Sequence, residues 1–411
     1  MGLVFSGKNH YTLFETCQAK TGFAKDAVYR LLNKTNINWE NFILRLSNAV
    51  IPEVRRLTSS TRKIALVIDD SPYYRNRSKQ VEMLSWCYDH VKQAYYKGLT
   101  FLSLCWTDGQ TLMPVNYRLL GSSNDKNLLV GSRIKEDKRT IATKRRVDAR
   151  KEKPVLAIEM LKAVKGTAST AKYVLFDSWF ASPSFILSVK NLGFHVIARV
   201  KNHENYRYTH KEENLSISKI YKANKKRRGR SRYLLSVIVN VRHADFPKPI
   251  PAKLVFVRDK SNRKKWIALI STDVSLSEEE IIALYGKRWD IETYHKMIKS
   301  YLRLAKEFQS RSFDAMMAHT AVVLTRYMLL SLESRENRDD RSFGELFYDY
   351  CKELDDISFR HAFNLVICSL RDCLGECFYL TKPLVDAFVR FFLDSLPAFI
   401  RDILAQRVCE S

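Results

Sequence analysis

Tyr285, Arg288, Glu292 and Lys299 follow one another at spacings of 3, 4 and 7 residues. At about 100° per residue they fall at roughly 0°, −60°, −20° and −40° around a helix, with Lys296 near +20°. One narrow stripe then carries a phenol, a carboxylate and three cations. Such a stripe has two readings. A solvated helix uses these residues for ion pairs along its face. A site that handles a polyanion uses the carboxylate as a metal ligand and the cations against phosphate. Ile282, Leu284, Ile291, Met297, Ile298 and Leu302 surround the stripe, so much of this helix is expected to be buried. Two further acids sit in matching contexts. The apolar run Ile64–Ile68 stops at Asp69-Asp70-Ser71-Pro72, and Tyr173–Phe176 stops at Asp177. Both runs read as buried strands that deliver an acid at their C-terminal ends. Three carboxylates gathered at one end of a sheet repel one another unless cations bridge them. A pair of Mg2+ ions held by Asp69, Asp177 and Glu292 meets that need. Two such ions can activate a water or a 3′-hydroxyl and stabilise the leaving oxygen of a phosphodiester. Arg288, Lys296 and Lys299 then neutralise the phosphate. Asp70 competes with Asp69 for the first position, because strand alternation sends the two to opposite faces.

The elements that must hold these residues are readable in outline. Residues 1–60 read as a basic helical region, with Asp26 able to cap Ala27–Leu32 and an amphipathic segment from Trp39 to Leu46. It suits either a small DNA-contacting domain or a helical cover on the main body. Residues 61–201 open with the strand 64–68. Leu99–Trp106 and Leu112–Leu120 then form a hairpin turning at Asp108-Gly109, which predicts three consecutive antiparallel strands. Residues 133–153 hold ten bases and four acids and read either as a phosphate-lining segment or as a solvated helix. Strand 173–176, a helix Pro183–Asn191 capped by Ser182, and strand Phe194–Val200 form a crossover unit. Residues 202–275 change texture to three β-type runs, 233–241, 252–257 and 266–271. They follow a basic loop that includes Arg227, Arg228 and Arg230, which suits DNA contact. Residues 276–303 hold the stripe-bearing helix, opened by the capping box Ser277-x-x-Glu280. Residues 304–411 read as almost entirely helical, serving as core packing or as a dimer interface. Ser342-x-x-Glu345 caps one of these helices.

Composition agrees. The net charge of +25 over 411 residues implies a polyanionic partner, with nucleic acid ahead of an anionic membrane surface. No apolar run of membrane-spanning length and no signal-peptide pattern is expected. The eight cysteines include no Cys-x2-Cys pair and read as reduced, cytoplasmic thiols.

The Tyr285-(2)-Arg288-(3)-Glu292-(6)-Lys299 spacing resembles the YREK signature of DDE transposases of the "IS-four" insertion-sequence family. The I-D-D-S segment at 68–71, the W-T-D-G hairpin at 106–109, Y-V-L-F-D-S-W-F at 173–180 and Y-G-K-R-W-D-I-E at 285–292 are similar to that family in the same order, over about residues 60–330. The resemblance implies an α/β fold with a ribonuclease-H-like (retroviral-integrase-type) catalytic core and a β-strand insertion before the Glu-bearing helix. It implies Asp69 (in a D-x-S setting with Ser71; Asp70 is the alternative), Asp177 and Glu292 as catalytic metal ligands for two Mg2+ ions, with Mn2+ able to substitute. Tyr285, Arg288 and Lys299 resemble phosphate contacts at the transposon end. Arg199 and Lys201 resemble basic residues that approach the DNA. Trp266 matches a tryptophan that holds a flipped base, or else is an ordinary core tryptophan. The implied activity is cut-and-paste transposition: hydrolysis at the terminal inverted repeats, then joining of the freed 3′ ends to target DNA, with a hairpin intermediate in some relatives. The implied partners are double-stranded DNA and a second copy of the chain in the synaptic complex. The implied location is the cytoplasm of a bacterial or archaeal cell, at the nucleoid. A catalytically inactive DNA-binding derivative and a metal-dependent nuclease of the same fold are the competing readings.

Overall fold

The computed structural model describes residues 26–133, 139–227, 231–259, 262, 265–306, 310–336 and 381–396, with five positions between 367 and 375. The chain divides into two compact units, Tyr29–Asp340 and Met1–Val28 with Arg341–Ser411. In the second unit the described helix Lys382–Asp394 buries Val385 and Val389 against Ile367. The cap at Ser342 and the cysteines other than Cys87 and Cys105 lie outside the described residues.

The first unit is built on one eleven-stranded sheet in the order β2-β3-β1-β5-β6-β11-β10-β9-β7-β8, with β4 also paired to β3. Strands β1 (Ala65–Tyr74), β2 (Ser85–Asp89), β3 (Ala94–Thr107) and β4 (Leu112–Leu120) come first in the chain. β3 runs antiparallel to β1, and β2 and β4 pair with successive stretches of its other edge. Strands β5 (Tyr173–Phe176) and β6 (His195–Val200) then run parallel to β1 and to each other. The order β4-β3-β1-β5-β6, antiparallel and then parallel, is a ribonuclease-H-like core, as expected. Its apolar residues are fully buried: Leu66, Val67 and Ile68 on β1 and Val174, Leu175 and Phe176 on β5 are each 0–1 % exposed. Runs of this kind, apolar on both faces, belong to strands covered from both sides.

Beyond β6 the sheet continues without a break. β11 (Trp266–Ser271) pairs antiparallel with β6, followed by β10 (Phe246–Arg258), β9 (Leu235–His243) and the short hairpin β7–β8 (Arg207–His210, Glu213–Ser216). The β-type runs at 233–271 are therefore edge extensions of the core sheet.

Helix α1 (Trp39–Arg56) is capped by the Asn38 side chain, which accepts from Asn41 N at 3.0 Å. It buries Ile43, Ser47, Ile51 and Val54 on one stripe, packed on β4 and on the helix Phe313–Glu336. That last helix is long and apolar enough to cross a membrane, but 78 % of its apolar window is buried inside the unit. It is a core helix, held by the Tyr117 hydroxyl, which donates to Met317 O at 2.7 Å.

Two expectations need correction. β1 does not stop at Asp69. It runs on to Tyr74, paired along its whole length with β3, and only Ala65–Val67 is paired with β5. In the basic stretch 133–153, read as phosphate-lining or as a solvated helix, two of the bases serve neither role, while Arg133, Arg139 and Lys144 are exposed. Helix α2 (Ile141–Asp148) buries Arg145 and Arg146. Arg146 Nε donates to Glu82 Oε1 at 2.6 Å, and its Nη2 donates to Glu82 Oε2 at 2.9 Å and Asp314 Oδ2 at 2.6 Å. Arg145 is bonded to Asp314 and to Ile37 O. Counting charges along the chain cannot reveal acids 64 and 168 residues away that neutralise these arginines.

Candidate active site

The end of β5 makes the site. Val67 pairs with Leu175, so that register carried two residues on sets Asp177, just past the end of β5, opposite Asp69 on β1, with neighbouring strands roughly 5 Å apart in a sheet. By then β5 has ended, and Asp177 turns to accept a hydrogen bond from Trp179 N at 2.9 Å. The edge of β1 beyond Val67 is therefore open on the side where Asp177 sits. Asp69 lies in this gap with 18 % of its side chain exposed. Burial, then the neighbouring charges of Asp70 and Asp177, push its carboxyl up to about 7 against a weaker pull from Arg288.

Alternation divides the two candidate first acids. Asp69 and Ser71 share the face that meets the Glu-bearing helix: Asp69 Oδ2 is 3.9 Å from both Arg288 Nη1 and His295 Nδ1, and Ser71 Oγ accepts from Lys299 Nζ. Asp70 points to the other face, where Lys153 Nζ donates to it at 2.7 Å. Lys153 opens helix α3 (Lys153–Val164) and also lies 4.5 Å over the Trp179 ring.

The opposite wall is not one regular helix. α4 (Pro183–Asn191) and α5 (Ile217–Ala223) intervene in the chain, and α6 (Glu278–Gly286) then starts at the predicted capping box. Lys287–Trp289 tightens into a 3-10 turn before α7 (Asp290–Ser300). A 3-10 turn advances about 120° per residue instead of 100°, so the stripe is rotated partway along. The turn is pinned by Lys287 Nζ, which donates to Lys63 O at 2.6 Å and to Asp108 O at 3.0 Å. Gly109, on the same hairpin, has φ +88°, and a Cβ there would come 2.7 Å from Lys287 Cε.

This geometry brings together most of the stripe. Arg288 is buried beneath Tyr285 and Trp289, its guanidinium 5.7 and 5.3 Å from their ring centroids. Its Nη2 donates to Glu292 Oε1 at 2.8 Å, while its Nε is buried with no hydrogen-bond partner among the described residues. Tyr285 is half-buried, and burial raises its phenol, with Arg288 and Arg199 pulling the other way and Asp177 adding to the rise. Arg199, Tyr285, Arg288 and Asp177 therefore share one neighbourhood. Lys299 is brought down to about 8 by burial, partly offset by Asp89, Asp69 and Asp70. Lys296 is exposed further along α7, and Lys201 is exposed just past β6.

Trp266 and Arg227 pack against aromatic rings of the β-rich insertion. Trp266 is half-buried, stacked on Tyr221 at 4.8 Å and edge-on to Phe256 at 5.1 Å. Arg227 lies 4.4 Å over the Tyr233 ring, and Arg228 and Arg230 lie outside the described residues. The site also contains residues that sequence reasoning passed over. His295 is buried between Ser103 Oγ, 3.1 Å from its Nε2, and the Asp69 carboxylate; burial, Lys299 and Arg288 hold it neutral, at about 3. Its position three residues after Glu292, on the buried side of α7, was the available signal.

The donor chemistry fits a divalent cation in part. Asp177 is a neighbouring carboxylate that adds to the cost of ionising Asp69, which a bound cation would relieve. Among the described residues, however, no three His, Cys, Asp or Glu side chains are grouped closely enough to hold an ion. Glu292 is instead paired with Arg288 and would have to turn away from it to become a third ligand.

Known proteins give this site a context. No curated protein matches the chain. Among solved structures, a piggyBac transposase synaptic complex with hairpin DNA is similar at a TM-score of 0.44 and 12 % identity, over 88 % of this chain and 80 % of that one, a loose likeness. A family model described as DDE superfamily endonuclease matches residues 2–266. That span takes in β1 with Asp69 and the turn after β5 with Asp177, and on its strength the chain belongs to the DDE superfamily of endonucleases.

Proposed function

We propose that this endonuclease is a transposase of the "IS-four" type, which cuts phosphodiester bonds at transposon ends and joins the freed 3′ ends to target DNA. The observation that carries the reading is the pair of aspartates, Asp69 and Asp177, at the break between β1 and β5, faced by Arg288 and Glu292. In this reading Asp69, Asp177 and Glu292 are the catalytic ligands of two Mg2+ ions, which Mn2+ can replace, and Asp70 is a structural partner of Lys153. Bound there, the ions supply an activated water or 3′-hydroxyl and stabilise the leaving oxygen.

The chain's own groups do the rest. Arg288 holds Glu292 in the absence of ions, and its unpartnered Nε is free to donate to a phosphate oxygen once Glu292 moves. Lys299, held beside β1 by Ser71, sets a second positive charge on the same phosphate. The Tyr285 hydroxyl and Arg199 contact the DNA strand on the Asp177 side. Positive charge fixed in a partly desolvated site stabilises the charge that develops on the phosphorus oxygens. Cut-and-paste transposition by a homodimer that holds two inverted repeats, through hairpin ends and at the nucleoid of a bacterial or archaeal cell, is the detailed form of this proposal.

The test is cleavage of duplexes that carry the DNA flanking the coding sequence on either side. Mg2+ or Mn2+ supports nicking, Ca2+ supports binding only, and Asp177→Ala removes nicking while leaving binding largely intact. Asp69→Ala behaves like Asp177→Ala, whereas Asp70→Asn retains activity. Undiminished nicking by Asp177→Ala would sink the reading. Cleavage without joining of the 3′ end to a plasmid would identify a nuclease of the same fold.

A further inference from the structure

A second basic feature opens where β1 leaves the site. Beyond Tyr74 the chain forms a loop, 75–82, that faces Ala305, Lys306, Ser310 and Arg311, the described residues of that stretch after α7. Together they line a cleft of about 840 Å³. Its described lining includes Arg75, Arg77, Lys79, Lys306 and Arg311 and no acid. Two described acids near this loop in the chain, Glu82 and Asp89, are turned inward, and Glu307 lies outside the described residues. Glu82 is 1 % exposed and bound by Arg146 and by the backbone N–H groups of Phe313 and Arg133. Asp89 is 5 % exposed and accepts from the Tyr74 hydroxyl at 2.5 Å.

The walls are held in place. Buried Arg75 donates to Ala305 O at 2.8 Å, bridging the two sides. Asn76 Oδ1 accepts from Lys97 N at 3.0 Å, and Arg311 Nη1 donates to Gln80 Oε1 at 2.8 Å. Arg303 and Ala305 adopt φ of +53° and +66°, which L residues rarely hold. Buried Leu304 between them donates its N–H to Ile298 O at 2.8 Å and locks that turn. Arg77, Lys79 and Lys306 are exposed, with no side-chain partner among the described residues. A cleft whose described walls are tied by hydrogen bonds and whose exposed cations have no described partner matches an anion of extended shape.

Resting on the transposase reading, we infer that this cleft holds the sugar–phosphate backbone of the duplex being cut, on the side of the site toward which β1 runs. Tyr74 joins the two regions: its ring lines the cleft and lies 5.9 Å from Lys299 Nζ. Five residues of strand separate Asp69 from Tyr74, about 17 Å at 3.3–3.4 Å per residue. That length spans about five base pairs of duplex at 3.4 Å each. The cleft therefore grips phosphates about five base pairs from the bond to be cut. Arg77, Lys79 and Lys306 make the contacts, and Arg75 sets their spacing.

The experiment compares the full chain with Arg77→Gln/Lys79→Gln/Lys306→Gln, measuring affinity for a flank-derived duplex against salt concentration. These side chains are exposed, so the variant keeps its fold. Loss of three phosphate contacts lowers the magnitude of the log–log salt slope by about 2.7, at about 0.9 per contact. Ethylation of phosphates about five base pairs from the cut interferes with binding by the unaltered chain and no longer does so with the variant. Lys162→Gln/Lys165→Gln, at the far end of α3 on the opposite face of the sheet, leaves the slope unchanged. An unchanged slope in the triple variant overturns the inference. So does an equal drop per charge in the α3 control, which would reveal a general field with no local contact. If the triple variant loses slope but the unaltered chain never cleaves, the cleft stands as a DNA track and the transposase reading falls.

Discussion

Asp69 carries a measurable cost in the metal-free protein. Its carboxyl sits at about 7 in the fold against an ordinary 3.8, because burial and then Asp70 and Asp177 oppose its ionisation. The sign follows from linkage. Below pH 3.8 the group is protonated in both folded and unfolded chains and costs nothing. Between 3.8 and 7 the unfolded chain releases the proton while the folded chain keeps it, so stability falls as pH rises. Above 7 the penalty is constant, at about 4 kcal/mol for a separation of about three pH units at 1.36 kcal/mol each. Asp69→Asn removes it. In EDTA the variant is therefore more stable than the unaltered protein by about 1.7 kcal/mol at pH 5 and about 4 kcal/mol at pH 8. At about 2 °C per kcal/mol for a body of this size, the melting temperatures differ by about 3 °C and 8 °C. Thermal unfolding at pH 5, 6.5 and 8 reads this directly. Excess Mg2+ should raise the melting temperature of the unaltered protein at pH 8, by countering the carboxylate charge, and do little for Asp69→Asn. A difference that is flat with pH, or a less stable variant at pH 8, would refute the reasoning, because Arg288 would then already compensate the charge.

Other perturbations test other parts of the fold and site. Lys299, at about 8 through burial, loses its charge as pH rises past 8; affinity for an end-containing duplex should fall about tenfold between pH 7 and 9, the worth of one charge-assisted hydrogen bond of about 1.5 kcal/mol. Lys299→Arg should abolish that fall, and its persistence would point to another group. Arg146→Ala leaves Glu82 and Asp314 short of a buried partner and should cost about 3–5 kcal/mol in a urea titration; a loss under about 1 kcal/mol would mean that water replaces the guanidinium. Gly98→Ala drives a Cβ to 2.2 Å from Tyr73 O across the β1–β3 pairing, and should cost more than about 3 kcal/mol or prevent folding, read from soluble yield and circular dichroism.

Local signals were strong where the physics is local. The apolar runs at 64–68 and 173–176 became β1 and β5, Ser277 and Glu280 form the predicted capping box, and Ser182 caps 183–191. Asp108-Gly109 turns the hairpin between β3 and β4. Strand β2 escaped notice because Ser85–Asp89 alternates exposed aromatics with buried polar residues, which inverts the usual signal. The insertion was visible as a change of texture, but its pairing to β6 was not, because β pairing depends on partners far away in the chain.

The sequence by itself determined the residue types and spacings: two strand-borne aspartates, a glutamate on a basic helical stripe, and an excess of positive charge suited to a polyanion. Only the tertiary structure decided what each faces. Alternation separates Asp69 from Asp70, but which face meets α7 depends on where that helix packs. The wheel aligned Arg288 with Glu292, but their ion pair and the 3-10 turn before it depend on Lys287 reaching the carbonyls of Lys63 and Asp108. Arg145 and Arg146 fall in a basic stretch that could line phosphates, until Glu82 and Asp314 surround them, and the stacking of Trp266 on Tyr221 is visible only in the fold. Propensity and periodicity act over a few residues, whereas burial and charge pairing are set by neighbours brought together only by the completed sheet.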